Sequence, residues 1–187
     1  ANHKSIAFHL LGSTCYNHGK SFSRFTELKW FKGIIYNRRS ETQEAFPFQS
    51  QAISDARVFQ GFAFPNHRIF VGVGLDPRLI IHETTHLMMA QSLGERAQPL
   101  PAWLDEGFAS FMEPDPHQVD SVRFRNRSMP LRSMARVSGT PSRISAFYQK
   151  SESIVDFLVQ SQGEGAIQEF LAELRNGRPV AQALTTV

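Results

Sequence analysis

His82, Glu83 and His86 spell H-E-x-x-H inside an otherwise apolar run, and no other feature constrains the chain as tightly. Asp76 is a good N-cap, Pro77 suits the first helical position, and Gly94 is a natural stop, so a helix over 77–93 is predicted. Leu79, Ile80, Ile81, Leu87, Met88, Met89 and Leu93 place apolar groups nearly all round it. Such a helix is buried, and its polar side chains then need partners. Residues four apart on a helix differ in direction by about 40°, so both imidazoles reach one point, as two nitrogen ligands of a tetrahedral zinc would. Glu83, offset by about 100° from His82, can serve a metal-held water without being a ligand. With seven histidines and eleven glutamates in 187 residues, chance alone produces the pattern roughly once in 70 such chains, so its surroundings matter. The alternative is two satisfied core histidines and a glutamate facing solvent.

Cysteine usage narrows the chemistry. Cys15 is the one cysteine, which excludes an intrachain disulfide and any site built on several thiolates. It reads as a small buried apolar residue. The size suits one domain, or two small lobes sharing a cleft, with a core that needs no staples. A net charge of +3 is a mild excess and not the footprint of a nucleic-acid binder. No stretch approaches 18 apolar residues, so no membrane span is expected. The start at Ala1 suggests a processed or trimmed chain; the compartment stays open, with secretion or the periplasm among the options.

Texture divides the chain. Residues 1–76 are rich in phenylalanine and short β-like runs, with strands expected at Ile6–Leu11, Gly33–Tyr36, Val58–Phe64 and Arg68–Val73. Pro65-Asn66-His67 reads as the turn of a hairpin joining the last two. Residues 37–57 read as loop with a short helix. Further helices are expected over Pro101–Glu113, Ser142–Gln162 and Glu164–Asn176, with a short one after Pro179. Residues 114–140 read as an extended loop. The expected fold class is α+β: a β-rich lobe over 1–76, a metal-binding helix over 77–94 and a helical lobe over 95–187.

A closed structural zinc site has four protein ligands, and a catalytic one has three plus water. The subclass with H-E-x-x-H-x-x-G-x-x-H is excluded, because Met89 and Ser92 stand where its glycine and third histidine belong. Glu106 lies twenty residues after His86, within Trp103-Leu104-Asp105-Glu106-Gly107-Phe108-Ala109. That distance is enough to finish one helix, turn and begin a second antiparallel to it.

H-E-x-x-H followed by W-L-x-E-G-F-A resembles the gluzincin zinc metallopeptidases, and the second motif is similar to that of aminopeptidase N-type enzymes. Length and order look more like the small bacterial peptidase MA-like domains. The strong resemblance covers residues 76–113; a weaker one reaches Tyr148, where Tyr148-Gln149-Lys150-Ser151 is similar to their Y-x-x-S segment. The resemblance implies a single zincin-like catalytic unit over 1–187 holding one Zn2+ through His82, His86 and Glu106. It implies Glu83 as the general base that takes the water's proton and returns it to the leaving amine. Tyr148 is the candidate donor to the oxyanion, its alternative being a helix residue with its hydroxyl at the surface. Asp105 and Ser110 are candidates for orienting a ligand, against surface or capping roles.

Zincins of this type present an edge strand along which an extended peptide adds as a further strand. Gly61, Phe62, Ala63 and Phe64 are the candidate substrate-binding residues. Similar aminopeptidases carry a glutamate there to anchor the substrate's free amine. This chain has no glutamate between Glu44 and Glu83, which points to an endopeptidase, although Asp55 or Asp76 could supply an amine anchor. Arg123, Arg125, Arg127, Arg132, Arg136 and Arg143 lie together without one acid, as a subsite for acidic peptides, an anionic-surface contact or a solvated loop. Phe46, Phe48 and Phe59 read as core, and His117 as a surface residue. The expected partner is a peptide or protein substrate, with no nucleic acid and no membrane span; the oligomeric state is undetermined. A catalytically silent zinc-containing scaffold domain and an aminopeptidase are the alternatives.

Overall fold

A computed structural model describes residues 3–8, 14–17, 20–23, 31–42, 60–114, 129–137 and 141–186. Eleven elements are used below. Strands are β1 (His3–Phe8), β2 (Thr14–Asn17), β3 (Lys20–Ser23), β4 (Phe31–Tyr36), β5 (Gly61–Phe64) and β6 (Ile69–Val73). Helices are α1 (Arg39–Thr42), α2 (Pro77–Leu93), α3 (Ala102–Phe111), α4 (Pro141–Arg175) and α5 (Val180–Ala183). The fold is mixed α+β, compatible with a zincin-like architecture.

One four-stranded sheet has the order β1-β4-β6-β5. β4 runs parallel to β6, while β1 and β5 run antiparallel to their neighbours. β5 turns into β6 through a 3-10 turn at Pro65–His67, as the proline-led tripeptide suggests, and Arg68 adopts the left-handed conformation that closes it. β5 pairs with β6 along one side only among the described residues, so it is an edge of the sheet. β4 buries Phe31, Gly33 and Ile35, the alternation expected of a strand with one face on the core. β2 and β3 form a separate two-stranded pair. This pair carries no sustained apolar alternation, and periodicity alone does not reveal it.

Helix α2 matches its expected bounds. Asp76 accepts a hydrogen bond from the Arg78 backbone N–H at 2.9 Å, Pro77 opens the helix and Gly94 ends it. Asp76 is therefore committed to capping. The structure also shows why this helix is apolar all round. One side, through Leu87 and Met88, packs on Phe31, Ile35 and Phe70 of the sheet. The other, through Met89 and Leu93, joins a second core with Trp103, Leu104, Phe108, Phe147 and Phe170 from α3 and α4. α2 is thus the shared wall of two cores, with the motif where they meet.

Two close approaches set the position of α2 and α3. A Cβ on Gly61 would stand 2.6 Å from Leu79 Cδ1 and 2.7 Å from Glu83 Oε1, so β5 can lie against α2 only because that atom is missing. A Cβ on Gly107 would meet the Ser151 backbone oxygen at 2.6 Å, so α3 and α4 touch backbone to backbone. Gly107→Ala must therefore push the two helices apart. It is expected to cost about 1–3 kcal/mol, as overpacked core substitutions do. Urea unfolding monitored by circular dichroism would read this; an unchanged midpoint would refute the close-contact account.

The two helices expected over 142–162 and 164–176 form one run, α4, divided at Gly163, whose φ of 80° and ψ of 167° are non-helical. The short helix after Pro179 is α5. The segment 129–137 contains a 3-10 turn at Leu131–Met134, with Met134 fully buried. No helix among the described residues is long and apolar enough to cross a membrane. Phe46, Phe48, Asp55, Phe59, His117, Arg123, Arg125 and Arg127 lie outside the described residues.

Candidate metal centre

α2 puts His82 and His86 one turn apart, with ring centroids 4.9 Å from each other and planes at 77°. α3 packs against it and inserts Glu106 between them. Glu106 Oε2 lies 3.2 Å from His82 Nε2 and 3.4 Å from His86 Nε2. The three donor atoms all fall within 4.8 Å of one another, so His82, His86 and Glu106 form a group that could hold a metal ion.

The far sides of both rings are also engaged. His82 Nδ1 donates to Glu113 Oε1 at 2.9 Å, which leaves its Nε2 lone pair for the centre of the site. Glu113 is buried, and its other oxygen receives a fork from Arg78, Nε at 3.1 Å and Nη2 at 2.9 Å. Asp105 Oδ2 lies 3.0 Å from His86 Nδ1, close enough for an ion pair. It sits off the direction of the ring N–H, so that nitrogen is not hydrogen-bonded.

Charge follows this geometry. Burial alone would lower the pKa of His82, but its hydrogen bonds to Glu106 and Glu113 outweigh that and raise it to about 9. His86 is likewise raised against burial, chiefly by the Asp105 and Glu106 charges. Burial would raise the pKa of Glu106; the His86 charge and the hydrogen bonds from both histidines hold it well below the usual carboxylate range. The centre of the site therefore calls for positive charge beside an ionised carboxylate.

Glu83 is buried and stands apart from the three donors, its Oε1 against Gly61 of the edge strand. Burial raises its pKa to about 7; the two histidines oppose this, and the Glu106 and Asp105 charges reinforce it. A solvent-facing Glu83 is thus not what the fold makes. Tyr148 comes from α4, held by its neighbour Phe147, which is buried in the core with the two rings perpendicular. The Tyr148 ring lies 6.0 Å from that of His82, and its hydroxyl is in hydrogen-bonding reach of Glu106. Burial, with the Glu106 and Glu83 charges, raises its pKa well above the ordinary value, so the hydroxyl keeps its proton as a donor.

The structure thus brings His82, Glu83, His86, Glu106 and Tyr148 to one place, with Gly61 of β5 against Glu83. Ser110 does not take part: it is fully buried, with its hydroxyl unbonded among the described residues, so neither the orienting nor the surface role describes it. Glu113 and Arg78 were not legible as site residues. Part of the signal was present in the spacing, since Arg78 precedes His82 by one turn of the same helix; Glu113 lies past the end of α3, where helical spacing does not reach.

Residues 29–187 match the family model of the Peptidase MA superfamily. No curated protein and no solved structure matches the chain.

Proposed function

We infer that this chain, which belongs to the Peptidase MA superfamily, is a zinc-dependent metallopeptidase of the gluzincin type, acting within peptides rather than at their amino ends. The observation that carries this is Glu106 seated between the two Nε2 atoms, with Glu83 buried beside them and outside the donor group. Bonds of about 2.0–2.2 Å in a tetrahedron place neighbouring donors roughly 3.3–3.6 Å apart. The separations of 3.2 and 3.4 Å fit that spacing, and two imidazoles with one carboxylate are a donor set that zinc favours. Zinc held by His82, His86 and Glu106 would supply an acidified water and polarise the scissile carbonyl.

The chain's own residues do the rest. The Glu83 carboxylate takes a proton from the attacking water and hands it to the leaving amine. The Tyr148 hydroxyl donates to the oxygen on which negative charge develops. Gly61, Phe62, Ala63 and Phe64 form an edge to which an extended peptide adds as a strand beside Glu83. β5 carries no acid, which removes the amine anchor of an aminopeptidase and favours cleavage within a chain. Residues 1–187 act as one catalytic unit in this reading.

Zinc-loaded protein should bind one ion per chain and cleave an internally quenched peptide with a blocked amino end. Chelation should abolish cleavage, and added zinc should restore it. Failure to hold stoichiometric zinc, or cleavage that ignores the chelator, would overturn the reading. Zinc without hydrolysis of any peptide would instead identify a silent scaffold domain.

Glu113 provides a finer check. Glu113→Ala removes the acceptor behind His82 and frees the ring to rotate. Partners of this kind are worth about 10–100-fold in metal affinity. Competition against a chromophoric chelator should show a loss of that size, and unchanged affinity would mean that Glu113 does not orient the ligand.

A further inference from the structure

The two histidines of the site are held unequally. His86 Nδ1 faces the Asp105 carboxylate off-axis, and that side chain is 37% exposed. His82 Nδ1 donates to Glu113 Oε1 at 2.9 Å, and the Glu113 side chain is 9% exposed. Glu113 stands past the end of α3, so the helix itself does not aim its carboxylate. Arg78 does. Its Nε and Nη2 both donate to Glu113 Oε2, at 3.1 and 2.9 Å, which takes that oxygen and leaves Oε1 for His82. Arg78 is itself well planted. It stands four residues before His82 on the same helix face, and its backbone N–H is capped by Asp76 at 2.9 Å. The side chain lies outside H-E-x-x-H and outside the three clustered donors.

We propose that Arg78 is a positioning residue for the metal centre: with two N–H groups on one oxygen of Glu113 it turns the other oxygen onto His82 Nδ1, and so fixes the direction in which His82 offers Nε2. This rests on the zinc reading of the site and adds a determinant of how tightly that site holds its ion. The planar guanidinium suits the task, because its donors are fixed relative to one another and admit one orientation of the carboxylate. A lysine at the same place would keep the charge without that fixed pair of donors. The effect of Arg78 on zinc passes through Glu113, so it is bounded by the effect of Glu113 itself. Arg78 is also partly exposed. An exposed ion pair is worth up to about fivefold and a partner behind a ligand about 10–100-fold, which places the loss in Arg78→Gln at roughly five- to tenfold in affinity.

The test is zinc affinity, read by competition against a chromophoric chelator on protein shown by circular dichroism to be folded. Arg78→Gln should lose roughly five- to tenfold, and Arg78→Lys should recover at most part of that. In a Glu113→Gln background, Arg78→Gln should cost nothing further. The visible absorption bands of the Co2+-loaded Arg78→Gln protein should also shift, since they report the arrangement of donors round the ion and do not follow stability. Wild-type affinity in Arg78→Gln overturns the proposal, and so does full recovery by lysine, which would make charge alone sufficient. An equal loss in the Glu113→Gln background, or an unchanged cobalt spectrum, would reduce Arg78 to a tie between the start of α2 and the end of α3. None of these readings uses hydrolysis. A protein that binds zinc through this arrangement but cleaves no peptide would sink the peptidase reading and leave the role of Arg78 standing.

Discussion

Glu83→Gln is expected to give a folded, zinc-loaded protein whose peptide hydrolysis has fallen by about 10²–10⁴-fold, the usual contribution of a positioned general base. The substitution keeps the shape of the side chain and removes its ability to take a proton. Zinc should be retained, because Glu83 is not among the three clustered donors. Stability should hold too. Burial already disfavours the charged form of Glu83, so a neutral amide in the same place is tolerated. Gly61, whose missing Cβ leaves room for Oε1, accommodates glutamine equally well. Metal analysis and cleavage of a quenched peptide check both halves, and a variant that still turns over at the wild-type rate would remove Glu83 from the mechanism.

Glu106→Ala is expected to fail in a different way, losing metal and activity together. Among the described residues, Glu106 Oε2 is the one acceptor that faces both Nε2 atoms. Without it two imidazoles remain, and a two-ligand site holds zinc far more weakly than a three-ligand one. The loss should exceed the 10–100-fold expected behind a ligand. The variant should also unfold more easily, since it removes the carboxylate shared by His82 and His86 in a mostly buried place and leaves each with one acidic partner, Glu113 and Asp105. Zinc content after dialysis and the urea midpoint read these effects. Stoichiometric zinc in Glu106→Ala would mean that another residue closes the site. Together the two variants separate roles: one is loaded and inactive, the other empty and inactive.

How much of this was legible depended on how local each feature is. Helix α2 matched its expected bounds because Asp76, Pro77 and Gly94 act within a turn of where they stand. The hairpin through Pro65–His67 was readable for the same reason. The break at Gly163 was placed correctly even though α4 runs on past it. The pair β2–β3 escaped, because four-residue strands carry too few alternations to register. Within the site, the exposure of Asp105, Ser110 and Glu83 could not be read from position. Asp105 turned out to lie beside a histidine, Ser110 in the core and Glu83 buried against β5.

The sequence by itself determined the donor pair and its helix. An i, i+4 spacing is enforced by backbone hydrogen bonds that close within four residues, whatever the rest of the chain does. It also determined that α2 would be buried, because an apolar surface on all sides admits no other stable place. The tertiary structure alone decided that Glu106 sits between His82 and His86, that Glu113 and Arg78 brace the first ring, and that Asp105 approaches the second off-axis. These depend on the angle and distance at which α3 crosses α2. That crossing is set by contacts far apart in sequence, among them the bare Cα of Gly107 against α4 and that of Gly61 against α2. A few tenths of an ångström there decide whether three side chains converge on one point or miss it, and no local pattern encodes such a distance.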